Sequence, residues 1–206
     1  MGVYAIIPAR GGSRRIPRKN MQRIGTLTLT QIAVECAFVS KIFDRVILTT
    51  DDDVIRTSVM AFPCTIIGRP PALASDSAQM APVIDHVYKT ANLHRDDIYV
   101  LLQPTSPFRS PGDIQAVVSM ARERGSAKTV TASRLDPDCH QGDFNGVAMA
   151  QVFASPAQPY QMHPLPMTER LRTIDIDWPD ELYKARALFE YAKKHGNEFN
   201  IWHPGL

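Results

Sequence analysis

Neither common phosphate-binding fingerprint is present in this sequence: no Gly-Lys-Ser/Thr follows a glycine turn, and no G-x-G-x-x-G occurs. No run of eighteen apolar residues exists, so no membrane-spanning helix is expected. No charged segment precedes the short apolar start, which Pro8 interrupts, so no signal peptide is expected either. Cysteine is scarce and odd in number: Cys36, Cys64 and Cys139 lack C-x-x-C spacing, which suits isolated thiols in the reducing cytoplasm. Acidic residues are missing from the first 34 positions, which carry six basic groups, although the whole chain has a net charge of only +2. Positive charge concentrated at one loop suits a small anionic ligand better than an extended nucleic-acid stripe. The 206 residues are enough for one core and too few for two, so residues 1–206 are taken as a single domain.

What is present begins with AIIPARGGSRRIPRKN, residues 5–20. The apolar run Val3–Ile7 is too short for a helix and is expected to be a buried strand, ending at Pro8, which has no amide to donate. Gly11 and Gly12 then permit backbone angles forbidden to other residues, so that consecutive amides can converge. Arg10, Arg14, Arg15, Arg18 and Lys19 crowd this turn, with Ser13 and Asn20 as uncharged hydrogen-bonding groups. A basic surface loop without a ligand would have the same charge. The buried strand directly before it, and the glycines preceding the cations, favour a polyphosphate cradle.

Further along, Leu29, Ile32, Ala33, Cys36 and Ala37 predict a helix ending near Ser40, and Arg45–Thr50 a strand. Asp51, Asp52 and Asp53 follow, either capping the next helix (Ile55, Val59, Phe62) or binding a metal, capping being the commoner use. After a short strand, Cys64–Ile67, two prolines fix the backbone beside Arg69, which is either placed by them or an ordinary surface arginine. Asp76 or Ser77 is expected to start a helix bearing Met80, Val83, Ile84, Val87 and Ala91. Ile98–Gln103 reads as a strand buried on both faces, leading into Gln103, Thr105 and Ser106 between two prolines. Ser110, Pro111 and Asp113 form a helix-start signal before Ile114, Val117, Val118 and Ala121. Lys128–Ser133 is a further strand. Thr173–Asp177 is expected as a strand with Asp175 and Asp177 on one side, and Trp178-Pro179 opens a last helix that ends at Gly196. The alternation of strand and helix implies an α/β fold, a mostly parallel sheet with helices on both faces.

The opening stretch, Arg69-Pro70 with LASDS, LLQPTSPFR, Asn145-Gly146 and Ile174-Asp175-Ile176-Asp177 occur in an order that resembles the acylneuraminate cytidylyltransferases, which activate sialic acid and related sugar acids. The resemblance runs to about residue 190. It implies a Rossmann-like nucleotide-diphospho-sugar transferase fold and transfer of CMP from CTP to a keto-sugar acid with release of pyrophosphate. It further implies that Ala9, Gly11, Gly12, Ser13, Asn20 and Arg69 contact the nucleotide, with Arg10 and Lys19 neutralising its phosphates. Gln103, Thr105 and Ser106 would face the acceptor sugar. Asp175 and Asp177 alone could be a helix cap and a surface group; beside a phosphate loop, the resemblance makes them ligands for Mg²⁺, which prefers one or two carboxylates plus phosphate oxygens. No general base stands out.

Departures from the family pattern leave alternatives open. Met80 falls where the family has a serine near the cytosine, so cytosine preference is less secure than nucleotide binding. A nucleotidyltransferase for another sugar or base, and a non-catalytic nucleotide- or sugar-binding relative, are the competing readings. Between Ser133 and Asn145 the family inserts a β-rich dimerisation arm that supplies basic contacts to the sugar acid. Here LDPDCHQGDF, with its single His140, fills the gap, too short for a strand pair and its return. The nucleotide half of the site is therefore expected to survive better than the sugar half. Sedimentation should show a monomer, or a homodimer weaker than or different from the family's, and kinetics should show poor N-acetylneuraminate turnover. A tight arm-exchanged dimer with efficient turnover would overturn the expectation.

Overall fold

The computed structural model of the chain describes residues 2–94, 97–123, 129–132, 148–153, 163–166, 172 and 174–206. Its centre is β1 (Val3–Pro8), paired in parallel with β4 (Arg45–Thr50) on one side and β6 (Ile98–Leu101) on the other. Strand β5 (Thr65–Gly68) extends the parallel part beyond β4. On the opposite flank β8 (Ala148–Phe153) runs antiparallel to β6 and to β7 (Thr129–Ala132), and β9 (His163–Pro166) pairs in parallel with β7. The sheet order is β5-β4-β1-β6-β8-β7-β9. The chain moves outward from β1 through β4 and β5, then returns to lay β6 on β1's other side. Strand order therefore reverses at the β1/β6 boundary, where doubly wound folds leave a crevice beyond the carboxyl ends of their strands.

Side chains of β1 alternate between two cores. Val3, Ala5 and Ile7 pack with α1 (Leu29–Ser40) and α4 (Pro111–Glu123). Ile6 joins Ile47, Tyr99 and Leu101 against α3 (Met80–Thr90) on the opposite face. Helices thus cover both faces of the sheet. A third core gathers α5 (Pro179–His195) onto Ile24, Leu29, Ile32 and Phe108. Among the described residues no helix is long and apolar enough to cross a membrane.

Local signals explain most boundaries. Thr28 and Gln31 exchange side-chain-to-backbone bonds at the start of α1, and Ser110 and Asp113 do the same for α4. Asp52 caps α2 (Asp53–Ser58), its carboxylate accepting from the Val54 and Ile55 amides, so capping is its use here. Helix α5 ends at Gly196, with φ of +89°.

Several expectations are corrected. Helix α2 ends at Ser58, with Val59 and Phe62 in the turns beyond it. Asp76 and Ser77 do not begin α3, which starts at Met80, because the Asp76 carboxylate is drawn instead to two loop arginines. No strand forms over residues 174–177, whose link to the neighbouring loop is the Ile176 amide donating to the Thr105 carbonyl at 2.8 Å. An unforeseen hairpin, β2 (Arg23–Ile24) and β3 (Leu27–Thr28), turns at Gly25, whose φ is +58°. A Cβ there would come within 2.7 Å of the Phe189 ring, so both conformation and space require glycine. His140, Cys139 and the Asn145-Gly146 segment lie outside the described residues.

The C-terminal residues seal the third core through His203, which is buried with its ring 4.4 Å from Phe189 and its Nδ1 accepting from the Gly205 amide. Burial pushes its pKa down to about 4 from an ordinary 6.5. Between those values the unfolded chain binds a proton that the folded chain does not, so His203 contributes stability above pH 6.5 that is lost as the pH falls towards 4. Melting curves across that window should fall less steeply with acid in His203→Gln than in the wild type. Parallel slopes would show that His203 does not titrate on unfolding.

Candidate active site

The carboxyl ends of β1 and β6 open onto a cleft of about 200 Å³. Arg10, Lys19, Asn20 and Arg69 line one side, Gln103, Pro104 and Thr105 the other, and Met80 and Asp76 belong to the wall between. Six of the residues expected at a site from sequence are thus brought together at the strand-order reversal: Arg10, Lys19, Asn20, Arg69, Gln103 and Thr105.

Each is held by a specific partner. Buried Asn20 donates its side-chain amide to the Arg10 carbonyl at 2.9 Å, closing the loop on itself, while its own carbonyl accepts from Thr30 on α1. Arg18 takes the left-handed conformation, φ 50°, just before the single helical turn Lys19–Met21. Lys19 Nζ reaches across to the Ile176 carbonyl at 2.9 Å and to Asp177 Oδ1 at 2.7 Å. Arg10 donates to the Ser75 carbonyl at 2.7 Å and pairs with Asp76 at 2.8 Å, and Arg14 meets the same carboxylate. Arg69 is buried, donates through one terminal nitrogen to the Thr49 carbonyl, and keeps its Nε without a partner. Burial lowers its pKa from the ordinary arginine value, with the charge of Asp51 acting in the opposite direction. Among the described residues that buried N–H, beside the cleft, is one of a few left unsatisfied.

The glycines work differently from expectation. Neither Gly11 nor Gly12 has positive φ. Gly11 is small because a Cβ would sit 2.5 Å from the Asp52 carboxylate, and its amide donates to Asp51 Oδ1 at 3.0 Å. The Ala9 amide is likewise engaged, donating to the Thr49 carbonyl, and its side chain is buried. Gly11, Gly12 and Ser13 stand outside the cleft lining. Ser106 is also turned away: it is buried, and its hydroxyl faces Asp175 Oδ1 at 3.4 Å rather than the cleft.

Asp175 and Asp177 lie beside this cleft through Thr105 and Lys19. The Asp175 carboxyl is raised above its ordinary pKa chiefly by burial, against the lowering effect of the Thr105 hydroxyl; nearby Asp177 raises it and Lys19 lowers it. Asp177 does not cap α5. Glu181 does, accepting from the Asp177 and Trp178 amides at 2.6 and 2.8 Å. Among the described residues no group of three or more metal-ligating side chains occurs, so this pair is a carboxylate dyad and not a closed cage.

Sequence reasoning missed Asp76, the shared partner of two loop arginines, and Arg109, which is buried and donates to the Gln103 carbonyl at 2.7 Å. Arg172 was missed too; it pairs with Asp113 and reaches the Ser110 hydroxyl at 3.0 Å, tying the chain just before Asp175 to the start of α4. The motifs containing Asp76 and Arg109 were visible, but nothing in them says which member faces a ligand.

A mostly parallel sheet with a basic crevice at its switch point defines a Rossmann-like nucleotidyltransferase fold. The chain belongs to the cytidylyltransferase family, whose family model matches residues 4–205. It is 34% identical over 119 residues to an N-acylneuraminate cytidylyltransferase of Escherichia coli, covering 57% of this chain and 28% of that protein. It is 31% identical over 151 residues to a CMP-N,N'-diacetyllegionaminic acid synthase of Legionella pneumophila, covering 71% and 65% respectively. A 3-deoxy-manno-octulosonate cytidylyltransferase of Synechococcus elongatus is 31% identical over 178 residues, covering 80% and 70%. The chain therefore spans about a quarter of the first of these relatives and two thirds of the second. Among solved structures, a CMP:2-keto-3-deoxy-manno-octonic acid synthetase complexed with CTP superposes with a TM-score of 0.68 at 17% identity, covering 92% of this chain and 99% of that one. A cytidylyltransferase from Leptospira borgpetersenii gives 0.69 at 16%, covering 93% and 87%.

Arg10 and Lys19 both line the cleft from the loop. Arg10→Ala and Lys19→Ala should each weaken CTP binding by about ten- to a hundredfold, as loss of a charge-assisted bond does, and weaken CMP binding less. Calorimetry with the two nucleotides checks this, and equal losses for both would contradict outer-phosphate contacts.

Proposed function

We propose that this chain transfers CMP from CTP to a keto-sugar acid and releases pyrophosphate, with Mg²⁺ as the metal. One juxtaposition supports the reading above all. The cations Arg10 and Lys19, the buried Arg69 and the polar pair Gln103 and Thr105 share one cleft, and a carboxylate dyad borders it. Lys19 and Arg10 would neutralise the phosphates, and Asn20 and Arg69 would hold the nucleoside portion. Gln103 and Thr105 would orient the acceptor so that its hydroxyl oxygen attacks the α-phosphorus as the bond to pyrophosphate breaks. Positioning and charge neutralisation would carry most of the rate.

The dyad fits Mg²⁺ by its chemistry. Asp175 and Asp177 supply hard oxygen donors near enough to feel each other's charge, and the buried Asp175 is the kind of carboxyl whose ionised form a cation would stabilise. Bound there, Mg²⁺ would supply positive charge to the phosphate oxygens. The relatives' names include N-acylneuraminate, N,N'-diacetyllegionaminic acid and 3-deoxy-manno-octulosonate, so a sugar acid is the shared substrate class proposed here. Met80 in the cleft wall favours one variant of the reading, a looser selection of the base. Cytoplasmic residence is in keeping with free Cys36, buried and pushed up to about 12, and free Cys64.

Pyrophosphate release with each of the four nucleoside triphosphates and a panel of sugar acids tests the reading. CTP with an acidic acceptor should be the productive pair. Asp175→Asn and Asp177→Asn should nearly abolish turnover while the melting temperature stays close to that of the wild type. Full activity of either variant at limiting Mg²⁺ would remove that residue from the metal site.

A further inference from the structure

We infer that Arg15 and Trp178 form an acceptor subsite, one that takes the carboxylate of an acidic sugar and one face of its ring. The inference rests on the transfer reading above and adds to it the residues that would make the acceptor an acid. Four of the five cations in the opening loop are closely held: Arg10 by Asp76 and Ser75, Arg14 by Asp76, Arg18 by Asp52 at 3.2 Å, and Lys19 by Asp177. Arg15 differs. Its nearest carboxylate oxygen, Asp177 Oδ2, is 3.6 Å away, beyond hydrogen-bonding reach, and it makes no hydrogen bond among the described residues.

Its position is nevertheless fixed. The guanidinium lies over the Trp178 ring, 4.4 Å from the centroid, so the indole holds the cation without using its N–H donors. Both partners stay open to solvent, Arg15 with a side chain 50% exposed and Trp178 at 53%. An oriented guanidinium with unspent donors matches a planar carboxylate, which it can bind through two parallel bonds. A half-exposed indole gives the apolar side of a ring a surface to rest on.

The location suits an acceptor and not the triphosphate. The nucleotide-side residues Arg10 and Arg69 line the cleft, whereas Arg15 and Trp178 do not. The path to them starts on the opposite wall. Thr105, which lines the cleft, accepts from the Ile176 amide, and the chain then passes through Asp177 to Trp178. A ligand held at Gln103 and Thr105 that extends along this segment meets the dyad first and the Arg15–Trp178 pair next. In a 2-keto sugar acid the reacting anomeric hydroxyl and the carboxylate are borne by one carbon, so the acid group would lie beside the reacting oxygen, at the edge of the dyad where Arg15 stands 3.6 Å from Asp177.

The test uses the full chain, CTP–Mg²⁺, and 3-deoxy-manno-octulosonate and N-acetylneuraminate as free acids and as methyl esters. Direct binding by calorimetry and pyrophosphate release are both measured. Arg15→Ala should raise the KM and Kd for the free acids by about ten- to a hundredfold, leave CTP affinity within about threefold, and erase the preference for acid over ester. Arg15→Lys, which keeps the charge without the fork, should recover only part of the loss. Trp178→Ala should weaken acid binding, and Trp178→Phe should restore most of it. Arg15-dependent acid binding without turnover would sustain the subsite and sink the transfer reading. Turnover indifferent to Arg15, an equal loss for CTP, or no binding of either acid would overturn the subsite. In the last case, turnover of CTP with a neutral or phosphorylated sugar decides the transfer reading separately.

Discussion

Ion pairing between one loop and three distant segments is the constraint on which this molecule depends. Five cations are packed into residues 10–19, and among the described residues every one faces a carboxylate contributed from elsewhere: Asp76 before α3, Asp52 at the start of α2, and Asp177 before α5. Without these acids the loop would repel itself. With them it becomes the hub that fixes the relative positions of three otherwise unconnected stretches. Most of these pairs are partly exposed and individually weak. Their effect is geometric: they hold the cations of the loop in fixed places.

The fold makes that hub possible. Reversal of strand order at β1 and β6 leaves the ends of two central strands uncovered side by side, so the loop after β1 and the Gln103–Arg109 turn face one another. The turn is anchored from beneath. Arg109, wholly buried and with its pKa lowered mainly by that burial, donates to the Gln103 carbonyl and keeps the cleft wall from sagging. Around it, the buried Arg172–Asp113 pair fixes the approach to the dyad, so the acidic end of the site is set by α4 as well as by its own segment.

Much of this was legible in the sequence, for physical reasons that can be named. Short apolar runs marked the three central strands β4, β1 and β6 because a sheet covered on both faces leaves no polar alternation to confuse them. The caps of α1's neighbours α2 and α4 were readable because capping is a local exchange of hydrogen bonds. Partnerships between distant residues were not readable. Asp76 looked like a helix cap because local pattern favours that use, and only the folded chain shows Arg10 and Arg14 waiting for it. Gly11 was assigned a conformational duty that it does not have; its smallness serves the close approach of Asp52. The expected strand does not form over residues 174–177 because alternation of Asp and Ile mimics a pleat, whereas Ile176 bonds to a loop and these residues join no ladder. Ser106 was expected at the sugar, and its burial against Asp175 became visible only in three dimensions.

The Thr49 carbonyl, at the end of β4, accepts from two donors that reach it from opposite sides: the Ala9 amide at 3.0 Å and an Arg69 terminal nitrogen at 2.9 Å. One oxygen is therefore the common footing of the loop after β1 and of Arg69. The loop after β1 and the segment after β5, on the same side of the cleft, are thus registered against one another by a single acceptor at the end of β4.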